Sequence, residues 1–451
     1  MKTQCNPLQL NLQGLDHRKI VVRNDSDVNT SDGGLLLLGQ LEQRYHIIER
    51  LSECFTDKRD PARIQHSLKS LLEQRIFGII QGYEDLNDHE QLRYDPLFQY
   101  VCESGKPLAG KSTLNRLELG KQPDILQGDR YSKITWDNDG IEDLFLDIFI
   151  EHFQKPPEHI ILDFDATDIP LFGDQEMKFF HGYYDHYCYL PLYVFSGEYL
   201  LSARLKPANR DAAEGTEEIL ETLVKKIRRH FPESEIVFRG DSGFCREGIL
   251  SLCESLGIKY VVGQARNNRL VERIRSSLAL AKARYLITGK SQRIFSRFEY
   301  RTRESWSTSR SVVAKAEFLP RGENPRFIVT NIPEEQIPAQ ELYEDVYCAR
   351  GNMENRIKDQ KLDLFSSRTS SGWMSSNQLR FWFSGLAYTF FLLLKQFIPE
   401  KNPCKKNLPS TIRLKLLKIS GSVRITVRRV WISLPISFPY WDIWRRIAVS
   451  I

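Results

Sequence analysis

Paired zinc-binding cysteines, an apolar leader, a membrane-length hydrophobic run and internal repeats are all missing from this sequence, and each absence closes a class of function. The eight cysteines (Cys5, Cys54, Cys102, Cys188, Cys245, Cys253, Cys348, Cys404) are scattered, with no C-x-x-C pair and no Cys/His cluster at zinc spacing. That pattern excludes a zinc module or a disulfide scaffold and predicts reduced thiols in the cytosol. The first residues, MKTQCNPLQLNLQG, lack the continuous apolar stretch of a secretory signal. The most apolar run, Phe381 to Leu394, has 14 residues and is closed by Arg380 and Lys395. A membrane span needs about 20 residues, so a buried helix is expected there and no membrane partner. Acid is almost absent after residue 400: eleven Lys or Arg face Asp442 alone, a balance of +10, which leaves −5 for the first 400 residues of a chain of net charge +5. A basic C-terminal region on a mildly acidic body points to a polyanionic partner.

What is present is ordinary globular material: 41% hydrophobic and 27% charged residues over 451 positions, enough for two or three domains. Helical spacing of apolar residues between Gly34 and Gly82 predicts a mainly helical region over 1–150. Within it, the expected DNA-binding region, Ser112 and Thr113 are placed to cap a short helix that carries Asn115 and Arg116 outward, as a DNA-reading element or as a plain surface helix. Pro156-Pro157 then introduces strands over Ile160–Asp165, Leu190–Phe195 and Tyr199–Leu205, the last two joined as a hairpin. A helix over Ala213–His230, a strand over Glu235–Arg239, a helix over Glu247–Leu256 and a strand over Lys259–Gly263 follow. This order predicts an α/β fold, a mixed sheet with flanking helices of RNase H-like topology, first part 157–264. Three further strand-like runs mark 265–338 as a β-rich insertion. The remainder of that domain is expected over 339–398, and the basic region over 399–451.

Acidic residues fall in three informative places. Strand alternation puts Asp163 and Asp165 on one face, and geometry alone permits either to serve as a ligand. Asp241 ends an apolar strand and is followed by Ser242-Gly243, and open sheets bind ligands beyond their strand ends. Glu354 lies in a row with Tyr347, Arg350 and Lys361, whose spacings of three, four and seven confine all four to an arc of roughly 60° on a regular helix. Beside that row runs an apolar stripe of Leu342, Val346, Ala349, Met353 and Ile357. Two strand-end carboxylates and one helical carboxylate supply the hard oxygen ligands that Mg²⁺ prefers.

Taken together these residues resemble a known family. Asp165-Ala166-Thr167 is similar to a D-x-T first acidic position, Asp241 to the second, and Tyr347-x2-Arg350-x3-Glu354-x6-Lys361 reproduces a Y-x2-R-x3-E-x6-K signature. The chain resembles bacterial insertion-sequence transposases of the DDE class, in the cut-and-paste branch. Gly173-Asp174-Gln175-Glu176, Arg239-Gly240-Asp241-Ser242-Gly243-Phe244 and Thr411 to Lys418 further resemble the family named after insertion sequence 1380. The resemblance implies that Asp165, rather than Asp163, joins Asp241 and Glu354 in holding two Mg²⁺ ions, with Mn²⁺ as a substitute. It implies that Tyr347, Arg350 and Lys361 grip phosphates of double-stranded DNA, at terminal inverted repeats and at the target, in a DNA-bound homodimer. It also implies endonucleolytic cleavage through a DNA hairpin, strand transfer, and a cytoplasmic, nucleoid-associated location. Trp306, a large aromatic in a polar turn of the β-rich region, is suited either to stack on a flipped base or to cover a small β-core. An RNase H-like nuclease without strand transfer and a catalytically silent DNA-binding repressor are the alternative functions.

Overall fold

The computed structural model describes residues 9–12, 20–23, 28–102, 106–119 and 133–451. They divide into two compact units. One comprises Met1–Ser52, Arg59–Leu117 and Leu393–Ile451; the other comprises Glu53–Lys58 and Glu118–Leu392.

The larger unit is built on one nine-stranded mixed sheet. Its strands are β1 (His159–Ala166), β2 (Leu192–Ser196), β3 (Tyr199–Arg204), β4 (Glu235–Gly240), β5 (Lys259–Gln264), β6 (Gln292–Tyr300), β7 (Arg310–Leu319), β8 (Gly322–Glu323) and β9 (Arg326–Thr330). They run in the order β3-β2-β1-β4-β5-β9-β7-β6, with β8 paired to β7. β1, β4 and β5 are parallel neighbours, while β2 and β3 are antiparallel additions to the β1 edge. The parallel strands read as nearly continuous apolar runs because both faces are covered. On one face Phe164 and Phe238 meet at 4.9 Å and each also meets Phe244. On the other, Val237, Val261, Val313 and Ile328 pack with Leu342 and Tyr343, with Ile161 and Val346 against them.

The three strands expected to form a β-rich insertion do not build a core of their own. β9 pairs antiparallel with β5, so β9, β7 and β6 simply extend the main sheet. What separates β5 from β6 is helical: Asn268–Arg273 and Arg275–Thr288. The reason is edge satisfaction. β5 would otherwise leave one side of its ladder unpaired, and an apolar strand such as Phe327-Ile328-Val329 completes it.

A small three-stranded sheet, Ile169–Pro170, Phe179–His181 and His186–Tyr189, stands between β1 and β2. Period-two reading missed it because its strands are short, two to four residues each, with no apolar alternation. The apolar run after residue 373 forms a single helix, Met374–Gln396. No helix of the described residues is long and apolar enough to cross a membrane.

In the smaller unit, helices Leu35–Tyr45, Leu68–Gln81 and Trp441–Ser450 accompany a three-stranded sheet of Asn29–Thr30, Gly421–Ile425 and Val430–Ser433. The expected boundaries at 150 and 399 therefore shift: the helix Asn138–His152 belongs to the larger unit, and the basic C-terminal region shares a unit with the N-terminal helices. Several of its cations are structural. Lys418 Nζ is 2.7 Å from the fully buried Asp32 and 3.9 Å from the Tyr83 ring centre. Arg413 donates to the carbonyls of Ile79 and Ile80 at the C-terminal end of Leu68–Gln81, where unpaired carbonyls and the helix dipole favour a cation. Ser112 and Thr113 are inside the helix Lys111–Glu118 rather than at its cap; the Glu90 carboxylate accepts from the Lys111 amide instead.

Candidate active site

Strand alternation runs along β1 from core to rim. Ile161, Asp163 and Asp165 share the face that the segment 339–363 covers, so successive positions pass from apolar packing, to a buried ion pair, to a half-buried carboxylate. Asp163 is 1% exposed. Both its oxygens are taken by Arg239 of β4, with Nε to Oδ1 at 2.5 Å and Nη2 to Oδ2 at 2.7 Å. Arg239 also donates from Nη1 to the Val346 carbonyl. A guanidinium fork engaged in this way leaves both Asp163 oxygens paired within the protein.

Asp165 lies two residues further toward the rim. Its Oδ2 is 3.2 Å from Arg350 Nη1, and Arg350 Nη2 is 3.1 Å from Glu354 Oε1. One guanidinium thus bridges the first and third expected carboxylates. Burial pushes the Asp165 carboxyl up to about 6; Arg350 opposes that rise, while Asp241 and Glu354 add to it by repulsion. The mutual repulsion brings all three expected acids into one electrostatic neighbourhood. Asp241 sits directly after β4, extended, and its Oδ1 accepts from the Gly243 amide at 2.8 Å, starting the short helix Ser242–Phe244.

The Tyr347 to Lys361 stretch is not one regular α-helix. Ala339–Glu341 is α-helical, Leu342–Tyr347 is a π-turn, Cys348–Arg350 is a 3₁₀ turn and Gly351–Asp363 is α-helical again. A π-turn widens the backbone and misaligns a carbonyl, a feature common at functional sites. Here Arg239 satisfies the Val346 carbonyl. The arc predicted for a uniform 3.6-residue helix therefore gives way to individually directed side chains. Arg350 reaches Asp165; Glu354 keeps a 63% exposed side chain; Lys361 donates to Thr167 Oγ1 (3.2 Å) and the Asp168 carbonyl (2.7 Å), fixing the loop after β1. Tyr347 is held close to β5. A Cβ at Gly263 would stand 2.6 Å from the Tyr347 hydroxyl and 2.8 Å from the Ser242 amide, so only glycine permits this approach. Burial raises the Tyr347 phenol pKa, Arg350 opposes it and Asp241 adds to it.

Trp306 takes the packing role, not the stacking one. It is 3% exposed, meets Tyr300 edge-on at 5.9 Å and lies under the Arg310 guanidinium at 5.4 Å. Arg310 is itself buried and paired with Glu247 and Glu254. A ring enclosed by that network offers no face to a base.

Sequence reading missed Arg239, Gly263, Asp168 and His186. Arg239 had a usable signal, since period two puts it on the Asp241 side of β4. His186 Nε2, 2.9 Å from Asp168 Oδ2, had none, because its strand was not anticipated.

The donor chemistry suits a divalent cation: three carboxylates, one of them strained by burial and like charge, with Arg350 as counter-cation between two of them. No group of three or more metal-ligating side chains among the described residues already surrounds a common point. Glu354 is exposed enough to change rotamer toward one.

A sheet with acids at adjacent parallel strand ends and a third acid on a covering helix defines a class of phosphoryl-transfer site. Residues 12–451 match the family model described as transposase DDE domain group 1, and the chain belongs to that family. Its members act on DNA as metal-dependent polynucleotidyl transferases or nucleases, so this is a DDE transposase. Comparison with curated proteins returns no match.

Proposed function

We propose that the chain is a cut-and-paste DNA transposase of the insertion sequence 1380 branch, with an RNase H-like catalytic core and Asp165, Asp241 and Glu354 as its catalytic carboxylates. The observation that carries this reading is the Arg350 bridge between Asp165 and Glu354 beside Asp241. The core strand order β3-β2-β1-β4-β5, antiparallel then parallel, supports the fold part.

Asp165, Asp241 and Glu354 would hold two divalent ions, Mg²⁺ foremost, with Mn²⁺ as substitute. When bound, such ions supply Lewis-acid stabilisation of the attacking and leaving oxygens in phosphodiester displacement. The chain's own groups do the rest. Burial leaves Asp165 with unrelieved charge that favours a cation. Arg350, with a planar fork already among the carboxylates, is available to a phosphate once its partners are otherwise neutralised. Tyr347, wedged against Gly263, fixes the approach of this segment to the Asp241 turn. Lys361 holds the Thr167-Asp168 loop and so sets the position of Asp165.

The substrate is double-stranded DNA at terminal inverted repeats and at a target, acted on by a homodimer, with hairpin formation at the transposon end preceding strand transfer. The experiment is incubation of purified protein and Mg²⁺ with labelled transposon-end DNA, resolving nick, hairpin and joined products. Discrete end-specific products support the proposal. Sequence-independent degradation would overturn it in favour of a nuclease, and end binding without any cleavage in favour of a repressor.

A further inference from the structure

The loop after β1 that carries Asp168 leads directly into the small sheet of residues 169–189, which has no role in the chemistry above. Its surface is unusual. Phe172 is 95% exposed, Tyr183 85%, Phe180 52% and Tyr187 49%. Four exposed aromatics on one short segment are a cluster, not singly scattered apolar residues.

The hairpin is firmly rooted. The Glu176 amide donates to the Gly372 carbonyl, and its carboxylate accepts from the Met374 amide at the start of Met374–Gln396. The Tyr189 hydroxyl donates to the Glu176 carbonyl at 2.6 Å. His186 of the hairpin contacts Asp168, the residue whose carbonyl Lys361 holds. The aromatic surface is therefore tied through Asp168 to the strand end that bears Asp165.

Its rings are arranged as faces and edges rather than as a closed core. Phe180 and Tyr187 meet edge-on at 5.6 Å across the strand pair, and Tyr183 meets Tyr184 edge-on at 5.0 Å. Charge is as informative. From Leu171 to Tyr189 the only Lys or Arg is Lys178, against Asp174, Glu176 and Asp185. Lys178 is occupied by the Gly173 carbonyl and lies over the Tyr187 ring at 5.2 Å. A surface with a net negative balance does not follow phosphates, so a contact between these rings and DNA would run through base faces. In a duplex those faces are stacked away; only unpaired bases offer them.

We propose that the aromatic hairpin of residues 169–189 is a stacking platform for unpaired bases next to the reacting phosphodiester, a role sequence reading had offered to Trp306. The inference rests on the proposed DNA-processing function, and its test needs binding alone.

Fluorescein-labelled duplex with a three-nucleotide single-stranded overhang and the same duplex blunt-ended are titrated with full-length protein in EDTA, read by anisotropy. The wild type is expected to prefer the overhang. Phe172→Ser, Phe180→Ser and Tyr183→Ser should each erode that preference by on the order of tenfold, leaving blunt-duplex affinity and melting temperature unchanged. An unchanged preference in the triple variant overturns the proposal. So does a change in sedimentation without a change in preference, which would assign the hairpin to contact between copies of this chain. Failure of the transposase reading is recognised separately, as absence of end-specific cleavage by wild type in Mg²⁺.

Discussion

Asp163 and Asp165 occupy the same strand and the same face, and each meets an arginine, yet the two pairings differ. Asp163 is sealed, and its arginine satisfies both carboxylate oxygens and a carbonyl of the π-turn opposite. Asp165 shares its arginine with Glu354 through single contacts, feels two neighbouring acids and is pushed up to about 6. The difference teaches that a buried ion pair with every lone pair used serves folding, while one left partly unsatisfied is poised for something else to bind.

That contrast can be broken most forcefully at Asp163. Asp163→Ala leaves Arg239 buried without a counter-charge and should cost about 3 to 5 kcal/mol, read as a lowered urea midpoint. Asp163→Ala as stable as wild type would show that the Arg239 pair does not hold the sheet to the π-turn. Asp165→Ala should do the opposite, keeping the folded protein and its DNA binding while cutting Mg²⁺-dependent cleavage by roughly 10²-fold or more. Reversal of these two phenotypes would exchange the roles assigned to the two aspartates.

A pH series sharpens the same comparison. The Asp165 carboxyl in the folded state titrates near 6, above the usual value of 3.8, so the native state binds this proton more tightly than the unfolded chain does. Native stability from this group is therefore greatest at low pH and is lost as pH rises between about 4 and about 6. In EDTA, Asp165→Asn should match wild type near pH 4 and exceed it above pH 6, by at most about 3 kcal/mol. A constant offset across that window would mean the carboxyl is not strained. Smaller still is the effect expected at Trp306. Trp306→Phe keeps most of the buried ring against Tyr300 and Arg310 and should cost about 1 kcal/mol in thermal unfolding. Nick, hairpin and joined products should remain in wild-type proportions; selective loss of the hairpin would restore Trp306 as a base-stacking residue.

Much of the larger unit was legible because its signals are local. Apolar runs at β1, β4 and β5 and the hairpin of β2 and β3 follow from residue alternation and turn chemistry, and each appears within a residue or two of expectation. Local patterning could not say which sheet β6, β7 and β9 would join, since a strand's partner is set by the edge that needs pairing. It could not reveal the π-turn either. A uniform helical period assumes uniform hydrogen bonding, and here Arg239, more than a hundred residues earlier, supports the irregular carbonyl.

The sequence by itself determined the types of residue available: acids at strand ends, a Tyr-Arg-Glu-Lys row at signature spacing, and aromatics in polar segments. Spacing and alternation decide which side chains share a strand face, because those are properties of a few consecutive dihedrals. Only the tertiary structure decided what each side chain was spent on. Arg239 arrives from a neighbouring strand and consumes Asp163; Gly263 yields space to Tyr347; Arg310 encloses Trp306, while Phe172, Phe180, Tyr183 and Tyr187 stay exposed. Burial and counter-charge come from segments distant in the chain, and they separate a structural carboxylate from a catalytic candidate two residues away.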